Sequence, residues 1–247
     1  MIWEVDNLVS LDSEAFFMGE TVDTPFGPKV LEVCKDGSTE NNDWISVYEV
    51  SFPESQRQGI NDLRRQLSDG SMELDETRDQ DGDILCMTIT EVFRRKQSAK
   101  NAQFLLACYT AVVPEYRGLG IGSIHRRKLG ALLKSEYPDY LGIFSEIEST
   151  REEGVAPQAM KIRVRRKAFF MRLGLIPIDI DYLFPNYVSD GEPLHGELLW
   201  VPFQSEQVLP SALRTVLLRI YTEGYGLRPD DPLIARMLGS LPAANQR

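Results

Sequence analysis

"VVPEYRGLGIG", residues 112–122, is the stretch of sequence that decides the fold. An apolar run leads into Pro114, and Arg117 then precedes glycines at positions 118, 120 and 122. Glycines between a strand and a helix let backbone N–H groups approach an anion closely, and the positive end of the helix dipole favours negative charge there. The stretch therefore predicts a loop that binds a phosphate group.

The two flanks of this loop predict a strand and a helix. "QFLLACYTAVV" (103–113) is a nearly continuous apolar run, as expected of a central strand that is buried on both faces. "IGSIHRRKLGALLKSEY" (121–137) has its apolar residues on one helical stripe, and Pro138 ends the pattern. The loop is thus expected to join a buried strand to an amphipathic helix.

The rest of the chain alternates between strand and helix patterns. We predict turns or loops at 36–43 and 94–101, strands at 29–35, 83–90, 141–149, 175–184 and 196–203, and helices at 44–52, 55–67, 160–174, 208–226 and 233–238. Such alternation indicates a mixed α/β or α+β protein. We expect a single domain over residues 1–247, with a core at about 29–203, an N-terminal extension at 1–28 and a helical C-terminal extension at 208–247.

Two familiar phosphate loops do not fit these residues. A P-loop needs a lysine that reaches the terminal phosphates, and the stretch supplies none. A dinucleotide fold needs GxGxxG in a tight turn, whereas the spacing here is GxGxG over 118–122. A third alternative is a plain flexible connection, which does not explain why Arg117 stands beside three glycines.

The stretch "VVPEYRGLGIGS" (112–123) resembles the acyl-coenzyme A loop of the GNAT (Gcn5-related) N-acetyltransferases, whose pattern is (Q/R)xxGx(G/A). "VYEVSFPESQR" (47–57) resembles the first helix of that family and the start of its second, and "LGIFSEIES" (141–149) resembles its fifth strand. "AFFMRLGLIPID" (168–179) resembles its fourth helix. The resemblance covers about residues 29–203 and implies a mixed, mostly antiparallel sheet whose fourth and fifth strands splay apart, flanked by helices.

The resemblance also implies that acetyl-coenzyme A is the co-substrate and lies in the gap between those two strands. Backbone groups near Val112 and Val113 would pair with the pantetheine arm. The pyrophosphate would be held by the backbone of the loop, namely Arg117, Gly118, Leu119, Gly120, Ile121, Gly122 and Ser123. A primary amine would attack the thioester directly, coenzyme A thiolate would leave, and a backbone N–H would stabilise the oxyanion.

The proton-transfer residues of the family are not matched. Phe170 stands where the family often has a tyrosine that protonates the thiolate, and Arg163 stands where an asparagine is common. Some members use a glutamate on the fourth strand as the base, but residues 103–113 contain no carboxylate. Catalytic residues therefore cannot be transferred by motif.

Physical chemistry suggests other candidates near the gap. Glu146 and Glu148 alternate onto one face of the strand at 141–149, and Glu91 ends an earlier strand. Tyr182 and Tyr187 lie near the segment that covers the acceptor in relatives. We predict Glu146 as the base and Tyr182 as the proton donor, with Tyr187 as another candidate donor. The alternative for the two glutamates is an ion-paired strand edge with arginines at 163, 165 and 166, and His125 and His195 are expected to be ordinary polar residues.

Composition excludes several other classes. The net charge of −10 disfavours nucleic-acid binding, and no apolar run approaches the length of a membrane helix. The basic runs at 125–128 and 161–167 are expected to be solvated helix faces. Cys34, Cys86 and Cys108 are odd in number and lack a CxxC pair, which argues against disulfides and zinc. Acidic residues near the N-terminus do not suit a signal peptide, so we expect a cytoplasmic protein without a metal, with a homodimer left open.

The sequence supports one function and leaves two alternatives. The first is N-acetyltransfer to a small-molecule or protein amine. The second, suggested by Phe170, is a non-catalytic module that binds acyl-coenzyme A as a sensor or partner protein. The third is an acyltransferase for longer chains, in which the apolar stripe at Leu213, Val216, Leu217 and Ile220 shapes an acyl pocket. The same stripe could instead pack on the core or on a second subunit.

Overall fold

The computed structural model describes residues 19–35, 42–95, 102–187, 192–204 and 208–241. Its strands are β1 (Glu20–Thr24), β2 (Gly27–Lys35), β3 (Met72–Arg78), β4 (Ile84–Phe93), β5 (Phe104–Val112), β6 (Gly142–Glu148), β7 (Ile176–Pro177), β8 (Tyr182–Phe184) and β9 (Leu194–Pro202). Its helices are α1 (Asp43–Ser51), α2 (Ile60–Ser68), α3 (Ile121–Glu136), α4 (Pro157–Arg172), α5 (Pro210–Arg219) and α6 (Pro232–Gly239), and a π-helical turn (Ile220–Gly224) follows α5. No helix within these ranges is both long and apolar enough to cross a membrane.

The strands form one mixed sheet in the order β1-β2-β3-β4-β5-β6-β9-β7, and β8 also pairs with β9. Neighbours along β1 to β5 are antiparallel, β5 and β6 are parallel, and β9 is antiparallel to β6, β7 and β8. This arrangement confirms the predicted mostly antiparallel sheet flanked by helices, and the helical C-terminal segment follows β9 as predicted.

The parallel pair at the centre of the sheet splays apart. β5 and β6 pair only over Leu105–Ala107 and Ile143–Ser145. Beyond these residues β5 stays with β4 as far as Val112, while β6 stays with β9 as far as Glu148. Cys108 forms a bulge because the β4–β5 register passes from Tyr109 directly to Ala107, and bulges increase local twist. Each strand thus follows its outer neighbour, and the strand gap that opens beyond Cys108 and Glu146 confirms the predicted splaying.

One face of the sheet is covered by two separate groups of helices. Trp44 and Tyr48 of α1 pack with Met87, Ile89 and Tyr109 from β4 and β5. The C-terminal helices cover the other half of this face, where buried residues of α5 and α6 join strand residues, namely Phe93, Phe104, Leu106, Phe144, Leu198, Trp200, Leu213, Val216, Leu217, Ile220, Ile234 and Met237. The apolar stripe of α5 is therefore part of the core.

The opposite face is covered by α3 and α4. Leu129 and Leu133 of α3 pack on Leu105 and Ala107 of β5. Phe170 of α4 packs with Ile147 of β6 and with Leu175 and Leu199. The strand gap therefore lies between α3 and α4 on this face, and between α1 and the C-terminal segment on the other.

Three predicted elements differ in extent. The strand predicted at 175–184 is divided into β7 and β8, because Pro177 cannot donate to the ladder and Ile180 N instead donates to Ile178 O in a tight turn. The helix predicted at 55–67 begins only at Ile60, since a 3-10 turn at Glu54–Gln56 precedes it. The helix predicted at 208–226 leaves α-helical geometry after Arg219.

Two strands were not predicted. β1 lies in the stretch assigned to the N-terminal extension and pairs with β2. β3, "MELDETR", reads as a polar segment, yet Asp75, Glu76 and Thr77 are buried in the sheet. Residues 36–41 and 96–101, which carry most of the predicted turn and loop, lie outside the described residues. The division of the chain into a core and two extensions stays a prediction.

The basic run at 125–128 is not a fully solvated face. His125 is fully buried between Thr77 and Thr88, with its ring nitrogens 2.9 and 2.8 Å from their hydroxyls. Burial lowers the pKa of His125 to about 3. Arg126 is buried as well, with its guanidinium 5.7 Å from the ring of Phe170, whereas Arg127 is exposed. The first half of the run is thus interior, and His125 serves packing rather than proton transfer.

Candidate functional site

A cavity of about 940 Å³ occupies the strand gap. Its walls come from the segment after α1, from β5 and β6, from the loop before α3, from α4, and from residues that follow β8 and α5. Both faces of the sheet contribute, so that the cavity connects them through the gap. We call its two ends the glycine end, with Arg117, Gly118, Gly120, Gly122 and Ser123, and the carboxylate end, with Glu91, Glu146, Tyr187, Gly224 and Tyr225.

The glycine end is a helix N-terminus preceded by a left-handed turn. Gly118 and Gly120 have φ of 85° and 89°, which other residues adopt only with strain, and Gly120 is the N-cap of α3. A Cβ built on either glycine meets no heavy atom within 4 Å. The space above these glycines is open, and the amides of Ile121 and Gly122 at the start of α3 lack intrahelical acceptors by geometry, whereas Ser123 N donates to Gly120 O at 2.9 Å. This end of the cavity fits an anionic group.

Gly122 has a different role, because the helix lies very close to β5 there. A Cβ on Gly122 would be 2.9 Å from Cγ2 of Val112 and 3.6 Å from Cζ of Phe169. Of the other predicted loop residues, Ser123 lines the cavity, while Ile121 is fully buried against Leu31 and Leu85. Leu119 and Ile121 therefore have only their backbone to offer to a ligand.

Arginines surround the glycine end. Arg117 Nε donates to Val112 O at 2.9 Å, and its Nη2 donates to Ser51 Oγ at 3.2 Å, which fixes the start of the loop. Arg165 and Arg166 of α4 also line the cavity. Burial, assisted by the nearby Arg117, lowers the pKa of Arg166, and its guanidinium pairs with Glu148. The ion-paired alternative considered for the two glutamates thus describes Glu148.

The pairing predicted for Val113 with the pantetheine arm stays a prediction. Its N–H donates to Leu85 O at 3.0 Å, and its carbonyl accepts from Tyr116 N at 3.0 Å, so both groups already have a partner within the chain. The sheet ladder alternates, and Val113 faces β4 rather than the gap. Val112 lines the cavity as predicted, with its carbonyl bonded to Arg117.

Glu146 is the first residue of β6 beyond the last β5–β6 pair and lines the carboxylate end. Tyr225 Oη donates to its two carboxylate oxygens at 2.9 and 3.0 Å, and Tyr182 Oη donates to Oε1. Burial raises the pKa of Glu146, and the two phenol hydrogen bonds oppose that shift. The structure thus holds a desolvated carboxyl group in a fixed orientation at the point where the strands separate.

Tyr182 lies behind Glu146 rather than on the cavity wall. It is 1% exposed and is absent from the described residues that line the cavity. Burial raises its pKa well above the ordinary value, so that it stays protonated as a hydrogen-bond donor. Tyr187 does line the cavity, and burial likewise raises its pKa. The catalytic roles predicted for Glu146 and Tyr182 stay predictions.

Glu91 also lines the carboxylate end, from the neighbouring strand β4, and is 8% exposed. Burial, with smaller contributions from Glu146 and Glu223, raises its pKa to about 8, while Arg219 opposes the shift. Gly224 lies against this carboxyl group, because a Cβ there would be 2.9 Å from Glu91 Oε2. Two carboxyl groups with raised pKa values therefore share one end of the cavity.

The segments that flank the carboxylate end are bonded to each other. Tyr187 N donates to Ser55 O at 3.0 Å, which joins the segment after β8 to the turn after α1. Gln58 N donates to Tyr109 Oη at 3.1 Å, and Tyr48 Oη donates to Gln58 O at 3.0 Å. These bonds fix Gln56 and Gln58, which line the cavity, against β5.

Other predicted residues have simpler surroundings. Phe170 lines the cavity with a ring that can neither donate nor accept a proton, as expected from its sequence. Arg163 donates to Ser149 O at 3.0 Å and is not among the described lining residues. The α5 stripe at Leu213, Val216, Leu217 and Ile220 is likewise absent from the described wall and packs in the core. Within the described residues, no group of three His, Cys, Asp or Glu side chains is placed to hold a metal ion.

Sequence reasoning missed the contribution of the C-terminal segment. Gly224 and Tyr225 lie beyond the region that resembles the acetyltransferase family, and an apolar helix pattern there carries no indication of a site. The pattern "YTEGYG", in which two glycines and two tyrosines follow an apolar helix, is the one local hint. Glycine weakens a helix interior, and its presence can reflect a close approach.

A solved structure supports the fold. A protein described as an acetyltransferase of the GNAT family from Bacteroides thetaiotaomicron superposes with a TM-score of 0.59, at 18% sequence identity, over 80% of this chain and 99% of that chain. The chain therefore has the GNAT fold, which confirms the resemblance seen in the sequence at the level of fold. No protein-family model and no curated protein matches the sequence.

Two further solved structures are weaker similarities. One is Arabidopsis thaliana NAA60 in complex with acetyl-CoA, at 11% identity over 72% of this chain and 99% of that chain, with a TM-score of 0.49. The other is the ribosomal-protein-S18-alanine N-acetyltransferase from Escherichia coli, at 14% identity over 72% and 99%, with a TM-score of 0.49. The fold assignment rests on the first comparison and on the strand gap.

Proposed function

We propose that the protein is an acetyl-coenzyme A-dependent N-acetyltransferase that transfers an acetyl group to a primary amine. The observation that carries the proposal is one continuous cavity that joins the N-terminus of α3 to buried carboxyl groups through the strand gap. A donor with a phosphate-rich tail and a distant reactive end needs such a passage. The GNAT fold supports the same conclusion.

The glycine end suits the pyrophosphate of the donor. The space above Gly118 and Gly120 is open, so a ligand atom can lie there. It adjoins the N-terminus of α3, where the helix dipole favours negative charge. Ser123 adds a hydroxyl, and Arg117 and Arg165 add positive charge. Along the gap, the free edge of β5 near Thr110 and Val112 would face the pantetheine arm.

The carboxylate end suits an amine that must lose a proton before it reacts. The ammonium nitrogen first loses a proton, then forms a bond to the thioester carbonyl carbon and loses a second proton as the carbon–sulfur bond breaks. The leaving thiolate takes up one proton, so one proton is released overall. Glu146 accepts the proton from the ammonium form of the acceptor, because its raised pKa brings it closer to the operating pH of a general base. Tyr225 and Tyr182 keep its carboxylate in one orientation.

Tyr187 is the better placed of the two tyrosines that the sequence suggested as proton donors. It lines the cavity and stays protonated at neutral pH, whereas Tyr182 is separated from the cavity by Glu146. We assign the protonation of the leaving thiolate to Tyr187 and a positioning role to Tyr182. Phe170, which occupies the position of the usual family tyrosine, takes no part in proton transfer.

Binding of coenzyme A to a Gly120→Glu variant tests the glycine end. The added carboxylate enters the open space above the loop, so we expect coenzyme affinity to fall at least 100-fold by isothermal titration calorimetry, roughly 3 kcal/mol. Gly82→Glu is the matched control, since Gly82 also has φ of 89° and an open Cβ position but lies in an exposed turn. Retained affinity in Gly120→Glu would reject this donor site.

Release of the coenzyme A thiol in the presence of primary amines tests turnover. We expect Glu146→Gln to lower kcat by about 10²-fold to 10⁴-fold, the usual contribution of general base catalysis, with coenzyme affinity unchanged. Tight coenzyme binding with no thiol release for any amine would favour the non-catalytic sensor instead. A comparison of acetyl with longer acyl donors decides the chain length, and we expect acetyl to be preferred because the α5 stripe belongs to the core.

A further inference from the structure

We propose that the acceptor is a small organic molecule with two basic nitrogens, one lying beside Glu146 and the other, as an ammonium, pairing with Glu91. This inference rests on the proposed function and adds the substrate class. It makes Glu91 a specificity-determining residue rather than a proton-transfer residue. Its basis is an arrangement of charge and contacts at the carboxylate end that the protein itself leaves incomplete.

The first observation is that the carboxyl group of Glu91 is buried and has no hydrogen-bond partner among the described residues. The residue is 8% exposed and lines the cavity, yet its carboxyl oxygens form no hydrogen bond or ion pair with any residue in the described ranges. Glu146, by contrast, receives hydrogen bonds from two phenols. Leaving a buried carboxylate unpaired is costly, and an ammonium ligand would remove that cost.

Arg219 is the nearby cation, and its hydrogen bonds are directed elsewhere. Its Nη1 donates to Ala102 O at 2.7 Å, and its Nη2 donates to Arg94 O at 2.9 Å. Its Nε and Nη2 also bond to Glu223 at 2.9 Å. The guanidinium therefore connects the C-terminal end of α5 and the π-helical turn to the sheet. None of these hydrogen bonds is to the carboxyl group of Glu91.

The charges at this end are unbalanced. Glu146 and Glu223 both raise the pKa of Glu91, and among the described residues Arg219 lowers it. Glu223 is paired with Arg219, whereas the two carboxyl groups that line the cavity, those of Glu91 and Glu146, form no ion pair with any cationic side chain in the described part of the chain. The arginines of the glycine end lie where the donor phosphates are expected. A ligand with two positive charges therefore matches the carboxylate end.

The walls of this end suit a small cation. Tyr187 and Tyr225 have ring centroids 6.0 Å apart, and aromatic rings attract cations that lie over their faces. Gly224 has no side chain and lies against the carboxyl group of Glu91. The Tyr187–Ser55 hydrogen bond and the C-terminal segment border the same space. Because the chain's own segments are bonded together around it, a compact diamine fits better than an extended polypeptide.

Equilibrium binding of linear diamines and monoamines of equal length, measured by calorimetry without coenzyme, tests the inference. We expect the best diamine to bind the wild-type protein at least tenfold more tightly than the matched monoamine, as for a charge-assisted hydrogen bond. In Glu91→Gln this preference should fall to below threefold. Glu32→Gln, which makes the same charge change on exposed β2, should retain the full preference.

A second variant guards against a general structural effect. Glu91→Asp keeps the charge but shortens the side chain by one methylene, so the preferred diamine should become about one methylene longer. An unchanged length preference in Glu91→Asp, or equal losses for monoamines and diamines in Glu91→Gln, would overturn the assignment. So would binding of peptides with no binding of diamines.

Failure of this inference can be separated from failure of the proposed function. Glu91-dependent diamine binding without any acetyl transfer would support the pocket and reject the enzyme. Acetyl transfer to monoamines with no diamine preference would retain the enzyme and reject the role of Glu91. The binding and the acetyl-transfer measurements both use the full-length chain, and neither requires the natural acceptor to be known.

Discussion

The phenol of Tyr225 donates to both carboxylate oxygens of Glu146, at 2.9 and 3.0 Å. Tyr225 follows the π-helical turn after α5, outside the region that resembles the acetyltransferase family, whereas Glu146 stands where the central strands separate. The C-terminal segment is therefore part of the site and not an appendage. Its contact with Glu146 determines how that carboxyl group is oriented and how readily it ionises.

Tyr225→Phe removes both hydrogen bonds from Glu146. We expect kcat to fall about tenfold, because a charge-assisted hydrogen bond contributes about 1.5–3 kcal/mol and Tyr182 still holds one oxygen. These bonds oppose the rise in the pKa of Glu146, so their loss raises that pKa further. The acidic limb of the kcat profile should then move to higher pH, as measured by initial rates from pH 5 to pH 9.

Tyr221→Phe is the control for this prediction. Tyr221 is fully buried in the same turn, and its hydroxyl donates to Leu183 O rather than to Glu146. Its loss should lower stability by about 1 kcal/mol while leaving the rate profile in place. A Tyr225→Phe enzyme with unaltered kcat and pH profile would show that Tyr225 does not control Glu146.

The raised pKa of Glu91 has a consequence for stability. Its pKa rises from an ordinary 4.5 to about 8, so between these pH values the folded state keeps a proton that the unfolded state releases. The unfolded state then binds fewer protons, and the free energy of unfolding falls as pH rises through this window. Glu91→Gln cannot ionise, so its stability relative to wild type should increase from pH 5 to pH 8.

Urea unfolding at pH 5 and pH 8 measures this change. We expect a gain on the order of a few kcal/mol for Glu91→Gln relative to wild type, since one pKa unit corresponds to about 1.4 kcal/mol. Because Glu146 is part of what raises the pKa of Glu91, this gain includes the repulsion between the two carboxyl groups that Glu91→Gln removes. Equal stability differences at the two pH values would mean that Glu91 is ionised in the folded protein throughout.

Arg219 anchors the C-terminal segment to the sheet. Arg219→Leu would remove the hydrogen bonds to the Ala102 and Arg94 carbonyls and the ion pair with Glu223, so we expect a loss of about 2–4 kcal/mol in the free energy of unfolding. Arg214→Leu, on the exposed side of the same helix, should change stability by less than about 0.5 kcal/mol. Similar midpoints for the two variants in urea would contradict this anchoring role.

The glycine end could be predicted from the sequence because its physics is local. A left-handed turn needs glycine, a helix N-terminus attracts anions, and both features are written in consecutive residues, Arg117 to Ser123. The splaying of β5 from β6 followed from resemblance to a family and not from residue pattern. The alternation and register of β5, which a one-residue bulge at Cys108 resets, are not visible in an apolar run, so the sequence could not show that Val113 bonds to Leu85 of β4.

The carboxylate end could be predicted only in part because it depends on contacts between residues that are far apart in the sequence. Glu146 and Glu91 were visible as candidates, since charged residues beside apolar strands stand out. Their partners are far along the chain, for Tyr225 lies 79 residues beyond Glu146. β3 was missed because its sequence is mostly polar, although Asp75 and Glu76 are buried in the sheet.

Gly224→Ala tests whether the close approach of the C-terminal segment to Glu91 shapes the acceptor pocket. The new Cβ would lie 2.9 Å from Glu91 Oε2 and 3.4 Å from Phe93 Cζ. Because the end of a glutamate is flexible, Glu91 should move into the cavity rather than the backbone shift. We expect KM for the acceptor to rise about fivefold or more, with coenzyme affinity unchanged.

Gly239→Ala, in α6 with no atom within 4 Å of the new Cβ, should leave KM unchanged and stability equal or higher by up to about 1 kcal/mol. If Gly224→Ala also left KM unchanged, Glu91 would not lie at the acceptor end, because a displaced carboxyl group in that pocket must alter how the acceptor binds.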